Sequence, residues 1–275
     1  MVTIDDIRRI RDERDRTDRR LSIALAVLAP LSSIIMVIAI LIGVFMFYAV
    51  RMAPPPQPIV STWYSKDSVT HEIIYSNTFQ IPGVIPVILG IIGVILAVGI
   101  AFIILEIYVM YRWLDARNKH FNRSREFFKA VSEYLGERIP EDAREYYNEF
   151  KGSVDAYWGF KRSEVGPVVW AILAGIFSLG TYVMFMLNID YYTHRKFEEE
   201  VASKLSILLE KMGLKKVTWR ELYTEREVLL YALITILTLG IFTIYWFYAV
   251  TKDQNEHFEN HYRYEDEIIE ALEKL

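Results

Sequence analysis

The sequence predicts an all-α, polytopic membrane protein. Three features carry that expectation: four long apolar segments nearly free of charge, charged residues gathered between them, and helical periodicity wherever the charges return. The chain has 275 residues, of which 53% are apolar, with a formal net charge of −4 and no cysteine. Without cysteine, disulfides and thiolate metal sites are excluded. The acidic balance argues against a nucleic-acid partner. The composition, poor in Gln and rich in Ile, Tyr, Glu and Arg, leans toward a thermophile.

Residues 1–20 read as a charged cytoplasmic helix. Asp5–Arg9, Asp12–Arg16 and Asp15–Arg19 are i,i+4 pairs that support an exposed helix, and the seven arginines between 3 and 20 place this end inside. Residues 21–50 contain no charged residue, enough for a first transmembrane helix with a kink or tilt at Pro30. The run is too long for a cleavable signal. Residues 51–82 form an external loop: Ala53-Pro54-Pro55-Pro56-Gln57-Pro58 favours polyproline II, and Ile59 to Tyr64 with Ile73 to Tyr75 fits a short hairpin. Residues 83–111 form the second transmembrane helix, in which Glu106 is the single charge.

Residues 112–165 are cytoplasmic helices, with Pro140 opening an amphipathic one that carries Ala143, Tyr147, Phe150, Val154 and Trp158. Residues 166–190 are hydrophobic segment three. Residues 191–227 hold an amphipathic helix and its connection, 228–250 are segment four, and 251–275 form a C-terminal amphipathic helix. Both termini are expected in the cytoplasm of a multi-pass protein of the cell membrane.

An internal repeat organises the polar parts. Tyr111–Phe121, Leu187–Phe197 and Tyr248–Phe258 each leave a hydrophobic segment. Each carries Asn or His three residues before the Phe (Asn118, His194, Asn255) and a basic residue or His just before it (His120, Lys196, His257). Apolar stripes follow: Phe121, Phe128, Leu135; then Phe197, Val201, Leu205, Leu208, Met212; then Phe258, Tyr262, Ile269, Leu272.

Simple alternation of four spans would put 191–227 outside, although this stretch holds eight Lys and Arg. About 23 apolar residues suit a full span, and a full span is the leading expectation for segments three and four. The small-residue breaks at Ser178-Leu179-Gly180 and Thr238-Leu239-Gly240 allow the alternative, a re-entrant hairpin with both ends inside, provided that the broken backbone is buried in protein.

Thr238 to Tyr248 reads Thr-Leu-Gly-Ile-Phe-Thr-Ile-Tyr-Trp-Phe-Tyr and is followed by Thr251-Lys252-Asp253-Gln254-Asn255. This resembles an uncharacterised family of small prokaryotic integral membrane proteins, with Phe242 where a Tyr is usual; segment three matches loosely. The resemblance implies membrane residence and nothing catalytic.

Candidate residues are few. Glu106 is a possible intramembrane polar site, functional by default but near enough to Arg112 to be structural. Tyr108, Trp113, Tyr245, Trp246 and Tyr248 fit an interfacial aromatic belt. Gly90, Gly93, Ala97 and Ala101, with Ala171, Ala174 and Ser178, make possible helix-packing faces. Gly180 and Gly240 are the segment breaks. His257 and His261 have metal-ligand spacing on one helix face, yet no third ligand is near in sequence, and solvated histidines are expected. Asp190 with His194 reads as an interfacial pair. No catalytic residue, metal site or cofactor is expected. The expected function is a non-enzymatic membrane scaffold that lies in the lipid bilayer as a homo-oligomer or as a subunit of a complex. The alternative is a channel or transporter built on Glu106 and the broken segments.

Overall fold

This computed structural model describes residues 2–52, 59–65, 68–74, 84–160, 166–176, 180–220 and 226–275. Helix α1 (Ile4–Asp12) starts at a capping box: the Thr3 hydroxyl accepts from the Asp6 amide while the Asp6 carboxylate accepts from the Thr3 amide. A turn, α2 (Arg14–Thr17), and helices α3 (Ile23–Leu28) and α4 (Leu31–Met52) follow. The break between α3 and α4 falls at Pro30, which has no N–H to continue the ladder. Strands β1 (Ile59–Ser65) and β2 (Ser68–Ile74) pair antiparallel, with Ile59 opposite Ile74 and Ser65 opposite Ser68.

Helix α5 (Val84–Gly136) runs unbroken for 53 residues, about 80 Å at 1.5 Å per residue. Its first half is apolar and its second half amphipathic. A 3₁₀ turn at Glu141–Ala143 leads into α6 (Arg144–Gly159), and α7 (Pro167–Ile176) and α8 (Gly180–Lys211) come next. At the end of α8, Gly213 has φ +74° and the amides of Gly213 and Leu214 return to the carbonyls of Glu210 and Leu209, a Schellman closure that needs a residue tolerant of the left-handed region. Helices α9 (Val228–Leu237) and α10 (Thr243–Leu272) complete the chain.

The chain divides into two compact units, 32–101 and the remainder. In the first, α4 and the start of α5 leave Ile40, Leu41, Phe45, Val94 and Ile100 more than half exposed, Phe45 at 72%. Water would oppose this surface; lipid would not. Gly90, Gly93, Ala97 and Ala101 are exposed there, and a side chain added at either glycine would meet no described neighbour. The face expected to pack thus stands open within one chain. Among the described residues one helix, from Gly90 to Gly136, is long and apolar enough to cross a membrane.

In the second unit the amphipathic stripes bury one another. Phe128, Val131 and Leu135 of α5, Phe150 and Val154 of α6, Val201, Leu205 and Leu208 of α8, and Ile268 and Leu272 of α10 form one core with Ile7 of α1. Each such side chain contributes about 1.5–3 kcal/mol on burial. The face of α6 is turned by one residue from expectation, since Tyr157 is buried and Trp158 is 36% exposed. The N-terminal stretch is likewise docked rather than free, with Ile7 and Asp18 buried. A second core joins α3, α5, α7, α8 and α10 around Trp113, Met184, Leu187, Trp246 and Phe247. Ala171 is buried there as expected; Ser178 and the side chain of Ala174 lie outside the described residues.

Neither segment three nor segment four continues as one helix. Tyr231 of α9 and Trp246 of α10 have ring centroids 5.8 Å apart, where a straight helix would separate residues this far apart in sequence by about 22 Å. The chain reverses through Leu239 at φ +50° and Gly240 at φ +91°. Trp170 of α7 stacks on Tyr182 of α8 at 5.5 Å, where a straight helix would separate them by about 18 Å; the break expected at Ser178-Leu179 lies outside the described residues.

Candidate metal centre

The polar halves of α5, α8 and α10 each present a histidine and, four residues later on the same face, a second polar group: His120 with Ser124, His194 with Glu198, His257 with His261. Packing of the stripes brings these faces together. Four imidazoles and one carboxylate, each offering one donor atom, converge so that all five donors lie within 4.8 Å of one another. All five residues are buried, none more than 2% exposed.

The contacts share one orientation. His194 Nε2 is 2.8 Å from Glu198 Oε1, and His261 Nε2 is 2.9 Å and His257 Nε2 3.5 Å from Glu198 Oε2. His120 Nε2 is 3.1 Å from His257 Nε2. All four rings therefore point Nε2 inward. Nδ1 of His261 lies 3.4 Å from Glu265 Oε1 and that of His194 3.1 Å from the Tyr157 hydroxyl; an outward Nδ1–H there favours the tautomer whose Nε2 lone pair can bind a cation. His120 Nδ1 is 3.2 Å from Asp18 Oδ2 but is not aligned for a hydrogen bond. His194 Nε2 makes no hydrogen bond despite its nearness to Glu198. Its ring axis misses the carboxylate oxygen.

The surrounding polar groups are accounted for one by one. Arg123 is buried and clamps both outer carboxylates, with Nη2 2.6 Å from Asp18 Oδ2 and Nη1 2.8 Å from Glu265 Oε1. A hydrogen-bond network joins His194 Nδ1, the Tyr157 hydroxyl, Ser124 and Glu198: the Tyr157 O–H lies 3.0 Å from both Ser124 Oγ and Glu198 Oε1, and Ser124 O–H donates to Glu198 Oε1 at 2.6 Å.

Electrostatics follow from burial and close partners. Burial pushes the pKa of His194 down to about 4 against the pull of Glu198, and lowers His120 and His257. Burial lowers His261 too, but Glu198 and Glu265 outweigh it and raise the group to about 9. For Glu198 burial would raise the pKa, yet His194 and His261 hold it well below the carboxylate range. Asp18 behaves alike, held down against burial by His120 and Arg123.

The expectation of solvated histidines at 257 and 261 is overturned: they are buried, and the further donors missing from the local sequence come from α5 and α8. Asp190 is buried against Arg117 Nη2 at 2.7 Å, as Asp253 is against Arg226.

The other predicted residues divide. Glu106 is buried beside Gly180, whose missing side chain leaves room for it: an added Cβ would sit 2.9 Å from Glu106 Oε1. Tyr108 and Tyr245 are exposed at 42% and 45%, as belt residues should be. Trp113 and Trp246 are fully buried instead; the Trp113 indole N–H donates to Thr251 Oγ1 at 3.2 Å and its ring packs on Phe247. Tyr248 is partly buried. His120, Glu198 and the outer ring of Asp18, Arg123, Ser124, Tyr157 and Glu265 escaped the sequence reading. The signal present there was that four of the five histidines lie just past hydrophobic segments.

Residues 226–267 match the family described as a domain of unknown function, DUF4234. The match takes in α9, the reversal at Gly240 and α10 through His257 and His261. No curated protein and no solved structure matches the chain.

Proposed function

We propose that this chain is a non-enzymatic integral membrane protein whose helical bundle on the cytoplasmic side binds one divalent transition-metal ion through His120, His194, Glu198, His257 and His261. The observation that carries this is the convergence of four buried imidazoles and one carboxylate, their donor atoms within 4.8 Å of one another, with Nδ1 of three rings beside a polar partner. Without an ion, Nε2–H groups would face the Glu198 carboxylate, and binding would replace those protons with the metal. In the ion-free cluster Asp18, Glu198 and Glu265 face Arg123 and a protonated His261, and a divalent ion would take the place of the His261 proton.

The topology we propose has full spans at segments one and two and re-entrant hairpins at three and four. His120 and His194 flank segment three, and their rings lie 5.2 Å apart. Segment three therefore returns to the side it left, as does segment four between His194 and His257, 5.7 Å apart. Eight basic residues in 191–227 are then inside, in accord with the charge rule. The repeat fits this reading once its middle copy is set in register on His194 in place of Phe197.

The test is metal content. Protein extracted in mild detergent and passed through gel filtration without chelator should carry one transition-metal ion per chain by elemental analysis. His257→Ala and His261→Ala should lose it while eluting at the same volume. Wild-type protein that carries no metal, and takes up none when offered Fe(II), Zn(II) and Mn(II) separately, would refute the reading.

A further inference from the structure

Resting on the metal reading, we infer that the ion is held six-coordinate by the four Nε2 nitrogens and both oxygens of Glu198, with no position open to an external ligand, and that ferrous iron is the ion this set selects. The two oxygens of Glu198 are engaged by different rings, Oε1 by His194 and Oε2 by His261 and His257. The carboxylate therefore lies edge-on to the cluster, the posture of a chelating ligand. Its Oε1 accepts from Ser124 at 2.6 Å and lies 3.0 Å from the Tyr157 hydroxyl; with Tyr157 donating to Ser124 instead, one lone pair of Oε1 is left for the ion.

The spacing fits an octahedron. Donors about 2.1 Å from an ion stand about 3.0 Å apart when adjacent and about 4.2 Å when opposite. The close pairs here, at 2.8, 2.9, 3.1 and 3.5 Å, are of adjacent length, and the five atoms taken one from each residue lie within 4.8 Å. A tetrahedral ion would engage four donors and strand the rest in a dry interior, at the cost of unpaired polar groups.

The centre is also sealed. Phe121 stacks on His194 at 3.7 Å, Phe258 leans on His120 at 4.8 Å, and Trp219 meets His261 edge-on at 5.1 Å. The cavity beside the cluster, lined in part by Arg117 and Arg125, reaches only His194 among the five and has about 10 Å³ of free space, enough for one water. Among the described residues, this cavity admits no more than a water beside His194.

Geometry then chooses the metal. Imidazole suits iron, zinc, copper and nickel, whereas manganese prefers oxygen. Protein zinc is usually four-coordinate, and copper(II) and nickel(II) favour tetragonal or planar sites. Ferrous iron is left as the ion at home with four imidazoles and a chelating carboxylate.

Anaerobic protein loaded with Fe(II) should show six light scatterers by X-ray absorption and give no iron–nitrosyl signal by electron paramagnetic resonance when nitric oxide is added. Glu198→Gln, and the shorter Glu198→Asp should the first fail to fold, should free a position and produce the nitrosyl signal with iron still bound. In equimolar competition Fe(II) should be retained over Zn(II). A nitrosyl signal from the wild type would overturn the closed shell, and a preference for zinc would overturn the iron assignment, both with metal binding intact. Failure to bind any metal would instead sink the underlying reading as well.

Discussion

His120 Nε2 and His257 Nε2 face each other across 3.1 Å, on helices 137 residues apart in sequence and with both rings buried. Two imidazole nitrogens at this distance are compatible if one carries a proton, or if both lone pairs turn to a shared cation. A proton satisfies this pair alone. A cation satisfies it together with His194, His261 and Glu198, and the proposed site is built on that difference.

Removing the ion should destabilise the fold. A ligand present at about a thousand times its dissociation constant contributes about 4 kcal/mol, and a chain of this size shifts by about 2–4 °C per kcal/mol. Chelator treatment should therefore lower the unfolding midpoint by about 10 °C in detergent, with recovery on adding metal back. An unchanged midpoint would count against a site that ties α5, α8 and α10 together.

The outer carboxylates should tune affinity without being ligands. Asp18→Asn and Glu265→Gln keep all five donors and weaken the hold on the tautomer of His120 and His261. Each should reduce metal affinity about 10–100-fold, measured by competition with a chromogenic chelator. Equal affinity in both variants would show that the outward Nδ1 contacts do not orient the rings.

Arg123 is the counter-ion for two buried carboxylates. Arg123→Met should cost about 3–5 kcal/mol, because it leaves Asp18 and Glu265 buried without their guanidinium counter-ion. Arg123→Lys should recover little, since an ammonium cannot span both carboxylates as the guanidinium fork does. Denaturant titration of the detergent-solubilised variants checks both.

Gly180→Ala should destabilise by about 1–3 kcal/mol through overpacking, as the new methyl meets Glu106 Oε1 and Met110 Cε at 2.9 and 3.0 Å. In a Glu106→Ala background the penalty should shrink. Thermal scans of the four proteins give the coupling between the two sites; additive effects would mean that Glu106 is not what Gly180 accommodates.

The cysteine-free chain permits a topology test. Single cysteines at Lys204 and Lys215 should be shielded from an impermeant thiol reagent applied outside cells and react once the membrane is opened. Labelling of both in intact cells would reject the re-entrant hairpins.

Much of the fold was legible because lipid and helix geometry act on local sequence. The break at Pro30, the reversal beside Gly240, and the stripes through Phe128, Leu205 and Leu272 all follow from nearby residues. The site was not legible for the opposite reason. His257 and His261 announce only two donors. His120, His194 and Glu198 join them through packing between helices far apart in the chain, which no periodicity encodes. The buried tryptophans were missed on similar grounds. Trp113 and Trp246 stand at segment ends, where rings usually meet headgroups, but neighbouring helices cover them.

The order of the ligands along the chain constrains when the centre can form. His120 is synthesised early, His194 and Glu198 some seventy residues later, and His257 and His261 only with the middle of α10. Chains emerge and fold from the N-terminus, so the first three donors must wait, together with the buried charges of Asp18 and Arg123, until the second hairpin has inserted and delivered α10. Capture of the ion would thus be the closing event of biogenesis, and a polypeptide stalled before α10 would expose an incomplete, charged interior at the membrane surface where quality-control proteases can reach it.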